Sequence, residues 1–391
     1  MVVVKEVGAK AIFDSRRGKT IQINIKTKLG LFKASAPTGK STGKHESKLY
    51  KKTLEQDIST IKKFSDYFSE ENIDKFEDLR RVEDILEGHV GGNTCIALEY
   101  AVLKALAKEQ KKQVWQLINP ISNKFPRIIS NVIGGGAHTL ISGSAKKPDF
   151  QEFHLIPNTK SVKEAFDINT KAKKQIGILL KEKDKNFKNK KNDENAWITN
   201  LNEKEVFDLL KSLEISNINF GTDVAASSFY KRKKYNYQNP KLDRSSEEQL
   251  FYISNLIKNY NLFYIEDGFE EEDFKSFSEL LKKYPNKLIT GDDLTVTNPK
   301  RLEKAIKEKS INAIIIKPNQ VGSLVKMKEV CELAKKNNIK TVFSRRSGET
   351  TENILADLAF GFQADFFKVG IDGKEGSAKI KRLIGIEKSL K

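Results

Sequence analysis

Six charged residues close six consecutive apolar stretches of the chain: Asp223, Glu266, Asp292, Lys317, Arg346 and Lys368. Three carboxylates brought to one place repel one another, and an oxygen-preferring divalent cation removes that cost. Mg2+ suits a site with few carboxylates and room for substrate oxygens. Zinc fits poorly, since the chain holds only two cysteines and four histidines and almost none stand near these positions. Lys317 follows Ala313-Ile314-Ile315-Ile316, where its amine is expected to be partly desolvated and close to other cations. Both effects favour the neutral amine, so a depressed pKa is expected. Such a lysine can take a proton from carbon next to a carboxylate, provided metal ions hold the resulting charge. Arg346 and Lys368 are suited to a phosphate and a carboxylate of the substrate. The alternative use of the same residues is structural, with the cations simply pairing the carboxylates.

The elements that must carry these groups follow from spacing. The stretches end at 223, 266, 292, 317, 346 and 368, so the gaps are 43, 26, 25, 29 and 22 residues. Each gap holds one strand and one helix. Strands that are apolar throughout, with helices between them, predict a parallel sheet. A closed barrel gathers all its strand ends on one rim, whereas an open sheet spreads them along an edge. Six charged ends in succession favour the barrel. Upstream, period-two alternation through Val2-Val3-Val4, Ala11-Ile12-Phe13, Ile21 to Ile25 and Leu31 to Ala34 predicts a small antiparallel sheet. Residues 36–46 are rich in Gly, Ser and Thr and read as a loop. Helical spacing then runs from Leu54 to Leu117. The predicted fold is α/β: an α+β capping domain over residues 1–125, then a (β/α) barrel over 126–391.

With 38% hydrophobic residues the chain can bury a full core. No apolar run approaches the roughly 20 residues that cross a bilayer. The start of the chain turns polar too soon for a signal peptide, and Cys95 and Cys331 have no metal-ligand spacing. These features together predict a cytoplasmic location. The formal net charge is +18, which favours anionic partners. Yet the basic residues are spread along the chain, and no RNA-binding motif with interleaved aromatics is visible. Lys181 to Asn192, the densest basic segment, reads as a solvated loop.

At the chemistry-bearing residues the sequence resembles the enolase family. Gly291-Asp-Asp-Leu-Thr-Val-Thr-Asn-Pro-Lys300, Thr222-Asp-Val-Ala-Ala-Ser227 and Ile265-Glu-Asp267 are similar to its metal-binding stretches. Ile316 to Gly322, Ser344 to Thr350, Phe13 to Arg16, Lys40 to Glu46, Asn131 to His138 and Phe150 to Glu152 match further motifs in order. The resemblance implies an enolase-type barrel with an N-terminal capping domain. It also implies dehydration of 2-phosphoglycerate to phosphoenolpyruvate with two Mg2+ ions. Asp223, Glu266 and Asp292 would hold one ion, and Ser41 would complete the second site. Lys317 would remove the C2 proton. Glu194 would help the C3 hydroxyl leave, with Glu152 in support, Gln151 beside it and His138 closing over the substrate. Arg346 and Ser347 would bind phosphate, and Lys368 the carboxylate. That a Lys base works with Mg2+ in such sites is general enzymology.

The chain departs from the family pattern in four places. A His-Arg-Ser motif is here Arg345-Arg346-Ser347, which puts a permanent cation where an imidazole would face the leaving hydroxyl. A Gly-Asp-Glu-Gly-Gly motif is here Asn192-Asp193-Glu194-Asn195-Ala196, so the aim of Glu194 depends on a backbone without the glycines. The loop after His138 is longer, with Ser142 to Lys147 inserted. The segment after Gly370 is short and lacks the Arg-Ser-Glu-Arg element of the family's homodimer, which leaves Arg16 without its usual partner across the interface. A basic paralogue with weakened catalysis that binds RNA or an anionic surface is the alternative. So is elimination on another phosphorylated acid.

Overall fold

The computed structural model describes residues 1–39, 43–69, 71–139 and 146–390. Strands β1 (Glu6–Phe13), β2 (Lys19–Thr27) and β3 (Gly30–Ser35) form an antiparallel sheet, β1 against β2 and β2 against β3. Its alternation buries Ile21, Ile23 and Ile25 against the helix Gly92–Glu109, which is buried along most of its length. Val2 makes an isolated bridge to Ile73, so the strand expected over Val2–Val4 is absent and the sheet begins at Glu6.

The remaining strands are β4 (Arg127–Gly134), β5 (Glu152–Pro157), β6 (Trp197–Ile198), β7 (Ile218–Asp223), β8 (Tyr230–Lys231), β9 (Lys234–Gln238), β10 (Lys241–Arg244), β11 (Tyr264–Glu266), β12 (Leu288–Gly291), β13 (Ala313–Ile316), β14 (Lys340–Ser344) and β15 (Phe366–Lys368). Neighbours run β4-β5-β7-β11-β12-β13-β14-β15, and β15 pairs back onto β4, closing an eight-strand barrel. The two-residue β6 adds to the far end of β4 at Ile133 and Gly134. Strands β8–β10 form a separate small sheet within the long connection after β7.

The sheet is not parallel throughout. β5 runs antiparallel to both β4 and β7. Among the described residues, the link from Gly134 to Glu152 carries one short helical turn, Gly136–His138, and no crossover helix. The reversal has a chemical consequence: β5 presents its first residue, Glu152, to the rim that β7 reaches with its last, Asp223. The two are register partners.

Barrel strands alternate inward and outward. Ile129, Ile156, Tyr264, Leu288, Ala313, Ile315, Val342 and Phe366 form the interior layer. Ile265, Ile289, Ile314, Ile316, Phe343 and Phe367 belong instead to the main core. Counting on by two from the interior layer reaches Asn131, Glu266, Asp292, Lys317, Ser344 and Lys368, and back from Ile156 reaches His154 and Glu152. The same parity that packs the barrel therefore aims the chemistry at its mouth. The segment from Lys181, expected as a loop, begins inside the helix Val162–Lys183 and leaves it only at Asp184.

Candidate active site

Asp223, Glu266 and Asp292 come together. Each offers a carboxylate oxygen, all within 4.8 Å of one another, and all three side chains are buried. Burial, and the charge of Asp223 beside it, push the Glu266 pKa well above the usual carboxylate range. One of its oxygens, Oε1, is buried without a hydrogen-bond partner. An orphaned hard oxygen among converging carboxylates fits a divalent cation of the Mg2+ or Ca2+ kind.

The cations expected nearby are present and already engaged. Lys368 Nζ lies 2.8 Å from Glu266 Oε2, 3.1 Å from Asp223 Oδ2 and 3.2 Å from Glu152 Oε2. Burial opposes its charge, but these carboxylates win, and its pKa is raised. Lys317 pairs directly with Asp292. Here the expected depression is overturned. Burial does lower the pKa of Lys317, but the Asp292 carboxylate against its amine outweighs that, and the pKa is raised. Arg346 makes a forked pair with Glu46, both Nη atoms lying 3.0 Å from Oε2. It also donates to Asn319 Oδ1 at 3.1 Å. The guanidinium packs so closely on Gly39 that a Cβ there would overlap it, which is why a residue without a side chain stands at 39. Gln320 donates to Asp292 Oδ1 at 2.9 Å and to Glu46 Oε1 at 3.2 Å. It thus joins the phosphate-type cation site to the carboxylate cluster.

Glu152, Glu194 and His138 form a second group at the mouth. β13, which delivers Lys317, is four places from β5 in the ring of eight, hence across it. His138 Nδ1 is 3.4 Å from an oxygen of Glu152 and 3.4 Å from an oxygen of Glu194. Burial opposes charge on the imidazole, yet the two carboxylates push its pKa up to about 10. Glu152 also meets His154 Nε2 at 2.8 Å. Burial raises the Glu152 pKa, but Lys368 outweighs it and holds the carboxyl well below its usual range. Gln151 donates to Asp223 Oδ2 at 3.3 Å. His138, Gln151, Glu152, Glu194, Lys317, Arg345, Arg346, Ser347 and Lys368 all line one cleft. Ser41 lies outside the described residues.

The loop that carries Glu194 holds its aim without the family's glycines. Asn195 takes the left-handed conformation, φ +62, which asparagine tolerates better than most residues. The side chain of Asn192 accepts from the backbone of Glu194 at 3.0 Å and of Ala196 at 2.9 Å. Lys173 donates to the Asn195 carbonyl and pairs with Asp372 at 2.9 Å. Arg16 is likewise supplied within the chain, pairing with Asp193 at 3.0 Å.

Four residues that matter here were not singled out from sequence: Glu46, Asn131, His154 and Gln320. Glu46 stands within a recognised stretch, but its partner is 300 residues away. Asn131 and His154 share the inward parity of their strands, and that signal was available.

A closed barrel whose rim gathers buried carboxylates and lysines at strand ends is the architecture of a divalent-metal enzyme. Comparison with known proteins narrows the class. Residues 4–118 match the family model "Enolase, N-terminal domain" and residues 122–391 match "Enolase, C-terminal TIM barrel domain". The chain is 36% identical to the enolase of Methanosphaera stadtmanae, over 99% of this chain and 97% of that one. It is 34% identical to that of Natronomonas pharaonis, over 99% of each. Against that of Pyrobaculum aerophilum it is 31% identical, over 98% and 96%. The chain belongs to the enolase family.

Proposed function

We propose that the chain is a Mg2+-dependent phosphopyruvate hydratase, a hydro-lyase that converts 2-phosphoglycerate to phosphoenolpyruvate in glycolysis and gluconeogenesis. Residues 1–125 act as the capping domain and residues 126–391 as the catalytic barrel. One observation carries the reading: a lysine base beside a buried carboxylate cluster shares one cleft with a second acidic and imidazole group, whose Glu152 starts a strand across the barrel from that lysine.

Asp223, Glu266 and Asp292 hold one cation, and Ser41 contributes to a second. Bound Mg2+ would stabilise the extra negative charge that the substrate carboxylate gains on loss of its C2 proton. Lys317 takes that proton. Its burial and the cations Arg346 and Lys368 favour the free amine, so the amine is a base once the charge of Asp292 is drawn elsewhere. Arg346 and Ser347 bind the phosphate, with Glu46 fixing the guanidinium plane. Lys368 binds the substrate carboxylate, and Gln151 orients Asp223. Glu152, which starts the strand across the barrel from Lys317, serves the departing hydroxyl together with Glu194 and His138, so acid and base are separate groups.

The test is Mg2+-dependent formation of phosphoenolpyruvate, followed by its ultraviolet absorbance, with Lys317→Ala as the control. Equal rates for the two proteins at saturating Mg2+ would remove the enzyme reading.

A further inference from the structure

Glu194 is surrounded in a way that bears on which group carries the proton to the leaving oxygen. Its Oε2 receives the Arg345 guanidinium at 2.9 Å and the Asn131 amide at 3.0 Å. Its Oε1 faces His138 Nδ1 at 3.4 Å. Arg345, Glu194 and His138 are all buried. Burial raises the pKa of Glu194, but the Arg345 charge against it outweighs that and keeps the carboxyl below its usual range. A histidine at 345 could trade a proton with Glu194; a guanidinium does not give one up. Glu194 is therefore engaged by a guanidinium and an amide on Oε2 and faces the imidazole with Oε1, a carboxylate with no proton of its own to give.

Resting on the reaction proposed above, we propose that Arg345 is a positioning residue that locks Glu194 as a carboxylate. The proton for the C3 hydroxyl is then delivered by His138, the catalytic acid held between Glu194 and Glu152. The groups facing His138 support this. Glu152 approaches from β5, with His154 and Lys368 behind it, and Glu194 approaches from the loop before β6, with Arg345 behind it. Two carboxylates favour the imidazolium, so His138 enters the reaction protonated.

The step balances. Lys317 takes the C2 proton, and the electron pair left on C2 becomes the second bond between C2 and C3. The C3–O bond breaks with its pair on oxygen. The imidazolium proton joins that oxygen to give water. His138 is left neutral and regains a proton from solvent after product departs.

The assignment is tested by separating the two half-reactions with the full-length chain at saturating Mg2+. Exchange of solvent deuterium into C2 of 2-phosphoglycerate, read by NMR, reports the base alone. Phosphoenolpyruvate formation reports loss of the hydroxyl. His138→Asn is expected to retain C2 exchange, which also shows that it is folded, while elimination falls at least about 100-fold. Glu194→Gln is expected to keep elimination within about tenfold of the native chain, because its acceptor role survives in part. In an Arg345→His background the same Glu194→Gln change should cost at least about tenfold more, since Glu194 is then free to hold a proton. Equal losses from Glu194→Gln and His138→Asn in the native background would overturn the proposal. So would His138→Asn losing exchange and elimination together in a protein with native circular dichroism. Absence of C2 exchange in the native chain is a different failure, since it sinks the hydratase reading itself.

Discussion

The two walls of the cleft are built by different means. On one wall, Asp223, Glu266, Asp292, Lys317 and Lys368 each end or directly follow a barrel strand, and strand parity aims them inward. On the other, Glu152 begins a reversed strand, His138 sits on a short turn, Glu194 on a loop and Arg345 just past β14. The first wall carries the residues that the sequence resemblance assigned to it. The second holds Arg345, Asn195 and Ala196, where the motifs differ from that resemblance. Strand ends inherit their geometry from the pairing and packing of the whole barrel, so a change there disturbs many contacts. Loop residues are held by a few hydrogen bonds and can be replaced when a neighbour supplies the missing constraint. Asn192, Lys173 and Asp372 supply it here.

If the first wall carries the reaction's core, breaking it has the largest effect. Lys317→Ala should abolish C2 exchange and elimination alike, a loss of about 10⁴-fold, measured by NMR and absorbance. A residual rate within tenfold of native would place the base elsewhere. Next in size, Glu266→Gln should weaken Mg2+ binding by at least about 100-fold, read by titration calorimetry. Unchanged affinity would move the cation away from this cluster, toward Asp267, Asp292 and Asp293, which also converge.

The first wall was largely legible in the sequence. Apolar runs ending in charge at regular gaps reveal the barrel, its rim and the three carboxylates, because period and position there are set by local patterning. The second wall was less so. The reversal of β5 changes which end of the strand reaches the rim, and apolarity does not encode direction. The charge state of Lys317 was misjudged because burial and neighbouring cations were weighed without the contact to Asp292, which depends on where two strand ends meet. Pairs such as Arg346 with Glu46 have no local signature at all.

The second wall also makes a pH-dependent contribution to stability. The folded pKa of His138 is raised from 6.5 to about 10. A group whose folded pKa is raised binds a proton more tightly in the native state. Its stabilisation is therefore complete below pH 6.5 and is lost as pH rises through about 10. Chemical denaturation of the native chain and of His138→Asn should give a stability difference that shrinks steadily across this window. A difference independent of pH would show that the imidazole is neutral throughout and that the two carboxylates are compensated by other groups.

The smallest effect tests whether the departures are supports or only tolerated changes. Lys147, at the end of the inserted segment, donates to the carbonyls of Gly136 at 2.5 Å and Thr139 at 2.7 Å. These carbonyls flank His138, so the ammonium closes the turn on which the imidazole stands. Lys147→Met keeps the length and apolar stem but removes the donors. Hydrogen bonds to a charged group are worth about 1.5–3 kcal/mol where buried, and these are partly exposed, so the lower end applies. The expected result is a small drop in thermal stability and a fall of a few fold in elimination, with C2 exchange untouched. A loss of exchange of the same size would mean that the insertion supports the whole cleft, and the contrast between the two walls would not hold at this point.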